Sequence, residues 1–187
     1  MGIGLKMLEA VRAEIVGARS KAAANLEVLL SNPVGIGEHV DLVSDVHNLI
    51  SEIAEADDKL DVLDKKILIV DDEDAIRFLL AHFISPRFPF EILQATSGNS
   101  AIELLKKEKD IEVILCDYRM GDGNGGTVYD YIKRNELLVP FVMMSTDKPE
   151  KYDCFKGFYE ENPKNDYLQK PFQQEALISI LEKILEG

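Results

Sequence analysis

The sequence predicts an α/β protein, with a doubly wound five-stranded parallel sheet preceded by an all-α helical hairpin. Up to Asp64, the apolar residues recur at helical spacing. From Lys65 onward, five short apolar runs alternate with helical patterns, which is typical of a parallel sheet with helices on both faces. We therefore expect two domains, a helical hairpin over residues 1–64 and an α/β domain over residues 65–187.

The first domain is predicted to contain two long helices. Residues 5–30 carry apolar side chains every three or four positions, and the letters SNPVGIG after them indicate where this helix ends. Gly17 makes the middle of the helix its least certain part. A second helix is predicted over about residues 38–64, and it carries two adjacent apolar stripes.

Two apolar stripes on one helix need two neighbours. One stripe can pack on the first helix as an antiparallel hairpin, which leaves the other in water unless a partner covers it. We favour a homodimer through residues 1–64 that closes a four-helix bundle with coiled-coil packing. A different protein, or the second domain of the same chain, could cover the stripe instead.

The five apolar runs of the second domain are the predicted strands. In such sheets, ligands bind outside the carboxyl ends of the strands, at the point where the strand order reverses. The runs are KILIV, EILQA, EVILC, PFVMMS and DYLQ.

Charge excludes several classes of partner. The net charge is −13, with 5 basic and 12 acidic residues in 1–64 and 16 and 22 in 65–187. Neither part has the basic surface of a nucleic-acid-binding protein, and both should be repelled by anionic membranes. No run approaches the roughly 18 apolar residues of a membrane span, and the first residues lack a signal-peptide core. We expect a soluble, cytoplasmic protein with neither nucleic acid nor a membrane as partner.

The two cysteines are predicted to be free thiols. Cys116 and Cys154 form neither a metal-spaced pair nor a disulfide framework, which fits a reducing cytosol. Cys116 should point into the core, on the face of its strand opposite to that of the next residue.

Acidic, hydroxyl and basic residues stand where four of the strands end. Three carboxylates on one edge of a sheet repel one another, by roughly 4 kcal/mol for each pair at about 4 Å and an effective dielectric constant near 20. They therefore need a cation, and oxygen ligands suit Mg²⁺ or Mn²⁺. Solvated side chains at a sheet rim are the ordinary alternative. The residues are Asp71, Asp72, Asp117, Ser145 and Lys170.

This set of side chains can carry phosphoryl chemistry. A carboxylate can attack phosphorus and form an aspartyl phosphate. A divalent ion, an ammonium such as that of Lys170 and a hydroxyl such as that of Ser145 can then stabilise the phosphoryl oxygens. No general base is needed, because the carboxylate is already ionised.

The motifs IVDDE, ILCDYRMGDGNGG, VMMST and DYLQKPF resemble the flavodoxin-like receiver domain of bacterial two-component response regulators. The resemblance implies that Asp117 accepts the phosphoryl group from a histidine kinase or a phosphotransfer protein. It implies that Asp72, Asp117 and the backbone carbonyl of Arg119 bind the metal, with Asp71 acting through metal-bound water. Lys170 is implied as the phosphoryl-binding lysine.

The resemblance also implies a switch. Ser145 would be the switch hydroxyl, Tyr167 the rotating aromatic residue, and the bond from Lys170 to Pro171 a cis peptide. The protein would catalyse only its own phosphorylation and dephosphorylation. The receiver motifs run to the end of the sequence, so we expect it to signal to an unknown downstream protein by contact. Alternatively, it is a phosphate sink or relay step whose hairpin only oligomerises it.

Three features depart from the family pattern, and one pair of residues adds to it. The segment from Ser145 to Lys170 is somewhat longer and more polar than usual, so we expect the helix after the fourth strand to be short. Gly121 stands where proline is usual, which loosens the loop after the phosphoacceptor. Thr146 stands where a smaller residue is common, so we expect slow self-dephosphorylation. Arg119 and Asp147 could form an ion pair across the mouth of the site, or remain two solvated side chains.

Two other motifs suggest different functions. GDGNGG satisfies the spacing of a dinucleotide-binding loop, but its first glycine does not end the strand. His47 on the second predicted helix could be a phosphotransfer histidine, although a half-exposed helix residue is the more ordinary interpretation.

Overall fold

A computed structural model describes residues 3–31 and 40–186. The chain divides into two compact units, Met1–Asp64 and Lys65–Gly187. The predicted end of the first helix in SNPVGIG falls mostly outside the described residues, as do the predicted start of the second helix at Glu38 and the neighbouring His39. None of the helices in the described ranges combines the length and the apolar character that crossing a bilayer requires.

The first unit is the predicted hairpin of two helices, α1 (Ile3–Ser31) and α2 (Val40–Asp64). Helix α1 continues through Gly17 without a break. Arg12 pairs with Asp64 at 2.9 Å, and Arg19 pairs with Asp57. Arg12 precedes Arg19 on α1, whereas its partner Asp64 follows Asp57 on α2. The two helices are therefore antiparallel.

The hairpin buries few side chains and exposes many apolar ones. Ala22 and Ala56 are its buried apolar residues among those described. The outer faces carry apolar side chains that are 41% or more exposed, so a single hairpin leaves much apolar surface in water. These side chains are Met7, Val11, Val16, Val28, Leu30, Val43, Ile50 and Val62.

The second unit contains the predicted five-stranded parallel sheet, in the order β2-β1-β3-β4-β5. The chain order reverses between β1 and β3, which opens a crevice at their carboxyl ends. The strands are β1 (Lys66–Val70), β2 (Glu91–Ala95), β3 (Ile111–Asp117), β4 (Phe141–Ser145) and β5 (Asp166–Gln169). The helices are α3 (Asp74–Ile84), α4 (Gly98–Lys107), α5 (Gly125–Arg134), α6 (Phe158–Glu161) and α7 (Gln174–Glu186).

The central strand β1 is buried on both faces. Ile67 and Ile69 pack in one core with side chains of α3 and α7, and Leu68 and Val70 pack in a second core with side chains of α4 and α5. All four are fully buried, and each contributes about 1.5–3 kcal/mol relative to an exposed position. This packing fixes the strand ends that carry the charged residues.

The connection between β4 and β5 is the irregular part of this unit. Two 3₁₀ turns, Pro149–Lys151 and Asp153–Phe155, precede a helix α6 of only four residues, which confirms the prediction of a short helix. Asn165 holds the segment by accepting from the N–H of Phe141 at 2.9 Å and donating to the carbonyl of Phe158 at 2.6 Å.

Helix α6 is also tied to α5. The carboxylate of Glu161 accepts from the hydroxyl of Tyr129 at 2.6 Å and pairs with Lys133 at 2.7 Å. Burial raises the pKa of Tyr129, and its bond to Glu161 raises it further. The pKa of Glu161 is lowered, because the bonds from Lys133 and Tyr129 outweigh the effect of burial.

Candidate functional site

The candidate site lies at the carboxyl edge of the sheet. Asp71 directly follows β1, Asp117 ends β3, and Ser145 ends β4. Lys170 follows β5, and its N–H donates to the carbonyl of Ser145 at 2.9 Å. Because all the strands are parallel, their ends bring these residues to the same edge.

Lys170 joins two of the carboxylates. Its ammonium lies 2.8 Å from an oxygen of Asp71 and 2.8 Å from an oxygen of Asp117. Asp71 is fully buried, and Asp117 is 7% exposed. Burial lowers the pKa of Lys170, but its hydrogen bonds to Asp117 and Asp71 outweigh that effect, so the pKa is raised and the lysine stays charged.

Backbone N–H groups complete the partners of the two carboxylates. The second oxygen of Asp117 accepts from the N–H of Arg119 at 3.0 Å, and the second oxygen of Asp71 accepts from the N–H of Glu73 at 2.9 Å. Burial raises the pKa of Asp117, Lys170 opposes that shift, and Asp71 adds to it. One ammonium thus serves two buried carboxylates, and the site keeps a net negative charge that favours a second cation.

The residues present fit a hard divalent cation. Asp72 is not part of the triad of Lys170, Asp71 and Asp117, and its side chain is exposed. Across residues 3–31 and 40–186, no three His, Cys, Asp or Glu side chains are grouped so that they could hold a metal by themselves. A set of two carboxylates, a backbone carbonyl and water requires no such group, and it is the kind of oxygen environment that Mg²⁺ prefers.

Ser145 and Tyr167 are in contact beside this triad. Ser145 is 2% exposed, and its hydroxyl oxygen accepts from the N–H of Asp147 at 3.1 Å, so its proton is free to be donated elsewhere. The hydroxyl of the half-buried Tyr167 donates to the carbonyl of Ser145 at 2.9 Å. The predicted switch residues are therefore coupled through one backbone carbonyl.

Of the two alternatives for Arg119 and Asp147, the structure has the ion pair, at 2.8 Å. Asp147 also pairs with Lys151 at 2.6 Å and accepts from the hydroxyl of Tyr152 at 3.2 Å. The bond from Lys151 is the main cause that lowers the pKa of Asp147. The ring of Tyr152 lies 3.8 Å from that of Tyr118, so the loops after β3 and β4 are joined twice.

The structure places the remaining candidate residues on α5, α2 and β3. In GDGNGG, Asn124 caps α5 by accepting from the N–H of Thr127 at 3.0 Å, and the strand ends four residues before the first glycine, unlike a dinucleotide-binding loop. His47 is exposed on α2. Cys116 is buried in the core as predicted, and burial raises its pKa.

Arg77 is a residue of the site that sequence reasoning missed. It is 7% exposed on α3, donates to the backbone carbonyl of Asp71 at 2.7 Å and pairs with Asp74. Its Nε is buried without a hydrogen-bond partner in the part of the chain that the structure describes. The signal in the sequence was a lone arginine among the apolar residues of DAIRFLL.

Comparison with known proteins identifies this arrangement. The family model described as "Response regulator receiver domain" matches residues 67–182. The chain belongs to the response regulator receiver domain family. The cis peptide bond between Lys170 and Pro171, which the resemblance implied, is present in this receiver.

Two curated relatives show how far the likeness extends. The receiver is 30% identical over 123 residues to the alkaline phosphatase synthesis transcriptional regulatory protein PhoP of Bacillus subtilis, covering 66% of this chain and 49% of that protein. It is 27% identical over 124 residues to a chemotaxis protein CheY homolog of Campylobacter jejuni, covering 64% of this chain and 92% of that protein. The chain thus spans about half the length of PhoP and nearly all of the CheY homolog.

Solved structures give the same result. The chemotaxis response regulator CheY4 of Vibrio cholerae superposes with a TM-score of 0.56 at 27% identity, covering 65% of this chain and 98% of that one. A two-component response regulator from Clostridium difficile superposes with a TM-score of 0.55 at 27% identity, covering 65% and 96%. The CheY-like fold therefore accounts for the second unit, and the two helices of the hairpin precede it.

Proposed function

We propose that this protein is a two-component response regulator that accepts a phosphoryl group on Asp117 from a histidine kinase or a phosphotransfer protein. The observation that carries the proposal is the position of the Lys170 ammonium, 2.8 Å from both Asp71 and Asp117 at the carboxyl edge of the sheet. A carboxylate that is ionised, buried and next to an ammonium is suited to attack phosphorus and to keep the product bound.

The proposed metal ligands are Asp72, Asp117 and the backbone carbonyl of Arg119, with Asp71 acting through a metal-bound water. A bound Mg²⁺, or Mn²⁺, would neutralise charge on the phosphoryl oxygens. Asp117 supplies the attacking oxygen and becomes the acyl phosphate, and the donor keeps the electrons of the bond that breaks. Lys170 then loses Asp117 as an anionic partner and pairs with a phosphoryl oxygen.

Ser145 and Tyr167 are the proposed switch. The free proton of the Ser145 hydroxyl can be donated to a phosphoryl oxygen, which draws the end of β4 toward Asp117. Because Tyr167 donates to the carbonyl of Ser145, such a movement changes the position that its ring prefers. Phosphorylation would thereby shift an existing equilibrium at the surface near β4 and β5.

We infer that the signal leaves by contact with a downstream protein. The acidic surface of both units supports a protein partner over nucleic acid or an anionic membrane. The two free cysteines support a reducing, cytoplasmic location. In this proposal, the protein is no enzyme beyond its own phosphorylation and dephosphorylation.

We propose that the hairpin over residues 1–64 forms a homodimer. Its exposed apolar side chains on both helices support a second hairpin as the neighbour that closes a four-helix bundle. A phosphate sink or relay step is the second candidate function, because a hairpin can also serve only to bring receivers together. Removing residues 1–64 separates the two: a sink keeps its rate of phosphoryl acceptance, whereas a switch loses its partner.

The direct test is to add acetyl phosphate and Mg²⁺ and to measure the intact mass. We expect one phosphoryl group on the wild type and none on Asp117→Asn. Asp166→Asn is the control, because Asp166 is an ion-paired carboxylate at the opposite end of β5 and should leave phosphorylation unchanged. Phosphorylation of Asp117→Asn at the wild-type rate would refute the proposal.

A further inference from the structure

The loop after Asp117 is tied to the start of α4. The carboxylate of Asp122 accepts from the side-chain amide of Asn99 at 2.7 Å and from the hydroxyl of Ser97 at 3.1 Å. Two backbone bonds run beside these: Gly98 N–H donates to the carbonyl of Gly123 at 3.0 Å, and Asn99 N–H donates to that of Asp122 at 3.3 Å. Four hydrogen bonds thus join residues 122–123 to residues 97–99.

The two segments fit closely enough that only glycine allows the contact. A Cβ at Gly98 would lie 2.6 Å from the carbonyl oxygen of Gly123. Gly123 has a φ of 73°, a conformation that other residues rarely adopt. The tie is therefore a specific fit of two backbones, to which the two side-chain bonds of Asp122 are added.

Gly121, directly before the tie, restrains the loop very little. It is exposed, and nothing lies within 4 Å of where its Cβ would be. Glycine has more conformational freedom than any other residue. Between Asp117 and Asp122 lies Arg119, whose carbonyl is a proposed metal ligand. Its N–H is bound by Asp117 and its guanidinium pairs with Asp147, so the freedom that is left to its carbonyl side depends on how firmly the loop is held beyond Gly121.

We infer that Asp122 is a positioning residue that holds the Arg119 carbonyl in place for divalent cation binding. It acts from three residues away, and the charge-assisted bonds to Asn99 and Ser97 restrain the loop that Gly121 leaves loose. The inference rests on the proposed function, because it assumes a divalent cation at Asp117. In this inference, Asp122 raises the affinity for the cation without touching it.

The test uses the full chain and Mg²⁺ alone, with calorimetry giving the dissociation constant. We expect Asp122→Ala to weaken Mg²⁺ binding three- to tenfold. We expect Asn99→Ala, which removes one of the bonds but no charge, to weaken Mg²⁺ binding by a smaller factor. The control is Asp153→Ala, which removes the same charge from an exposed residue paired with Lys156, and it should leave the affinity unchanged.

A second substitution distinguishes two effects of Asp122, its restraint of the loop and its negative charge. Gly121→Pro fixes φ at a position with open space, and it should stiffen the loop in place of the tie. Added to Asp122→Ala, it should recover most of the lost Mg²⁺ affinity. In the absence of Mg²⁺, amide hydrogen exchange of residues 118–124 should be faster in Asp122→Ala and slower again in the double variant.

Two results would overturn the inference. One is unchanged Mg²⁺ affinity in both Asp122→Ala and Asn99→Ala. The other is a double variant that binds no better than Asp122→Ala, which would mean that Asp122 acts through its charge alone. Should Asp122→Ala fail to fold, Asn99→Ala with and without Gly121→Pro decides by the same criteria. If Mg²⁺ fails to bind the wild type, or binds Asp117→Asn equally well, the proposed function itself is refuted.

Discussion

The guanidinium of Arg119 lies 2.8 Å from the carboxylate of Asp147, two positions beyond Asp117 and two beyond Ser145. The pair joins the loops after β3 and β4, and Asp117, the residue proposed to carry the phosphoryl group, ends β3. Because Arg119 is mostly exposed, the pair itself contributes only about 0–1 kcal/mol to stability. The pair should therefore act mainly by limiting how easily water reaches the phosphoryl group.

Breaking this pair should shorten the lifetime of the phosphorylated protein. We expect Arg119→Ala to speed self-dephosphorylation by about two- to fivefold, which corresponds to an interaction of up to about 1 kcal/mol. Release of inorganic phosphate after removal of the donor measures the rate. Lys156→Ala is the control, since Lys156 also forms an exposed ion pair, with Asp153. A rate equal to that of the control would show that the pair does not limit access.

Thr146 should slow the same reaction by its size. It follows Ser145 and is exposed beside the site, so a smaller side chain would admit water more easily. We expect Thr146→Ala to accelerate loss of the phosphoryl group by about two- to tenfold, or up to about 1.4 kcal/mol in barrier height. Thr146→Val keeps the size and should retain the slow rate. If the two variants lose phosphate equally fast, the explanation from size is wrong.

Removing the charge of Lys170 should destabilise the receiver. Lys170→Met leaves Asp71 and Asp117 buried without their shared cation, and breaking a buried ion pair in this way costs about 3–5 kcal/mol. Urea unfolding at pH 7 without divalent ions measures the effect. Adding Asp117→Asn to Lys170→Met should restore part of the lost stability, because one of the two repelling charges is then gone. No recovery would argue against repulsion as the cause.

Glu161 should stabilise the fold only when it is ionised. Its pKa is lowered in the folded protein, so its contribution is complete above the unfolded value, near 4.5, and is lost as the pH falls through the folded value. We expect Glu161→Gln to cost about 1 kcal/mol at pH 7, where it weakens the bond from Tyr129 and removes the pair with Lys133. The difference from the wild type, followed by urea unfolding, should vanish toward pH 3. A difference that is constant with pH would contradict this.

Charges on the exposed stripe of α2 should disrupt the proposed dimer. Val43 is 65% exposed and Ile50 is 51% exposed. We expect Val43→Asp with Ile50→Asp to give a monomer by light scattering at micromolar concentration, while the wild type is a dimer. Leu138→Asp, which places the same charge on a 92% exposed apolar residue of the receiver, should leave the dimer intact. A wild type that is monomeric would rule out the homodimer.

Much of the fold could be predicted, because the spacing and the types of the apolar residues indicate directly which side chains are buried. The last strand was predicted as DYLQ and is Asp166–Gln169, and the residues expected at the strand ends are found there. The irregular turns between β4 and β5 could not be predicted, because they depend on how the ring of Phe155 packs against those of Tyr129 and Phe158. This packing joins residues of separate segments, so the sequence of the turns alone does not reveal it.

The site was only partly visible in the sequence. The residue types at the strand ends indicated a charged cluster, but not that Lys170 would bridge Asp71 and Asp117 while Asp72 remained exposed. Arg77 and Asp122 were missed for a different reason. Arg77 binds the backbone carbonyl of Asp71, and a bond to the backbone leaves no motif. Asp122 binds the side chains of Ser97 and Asn99, which lie in a separate segment of the sequence.

The most direct measurement of the central claim is a crystal structure of the protein with Mg²⁺ and beryllofluoride. We predict a metal bound by Asp72, Asp117 and the carbonyl of Arg119, with the fluoride group on Asp117 and in contact with Lys170 and Ser145. Crystals that hold neither group at this edge of the sheet, under conditions in which both are in excess, would contradict it.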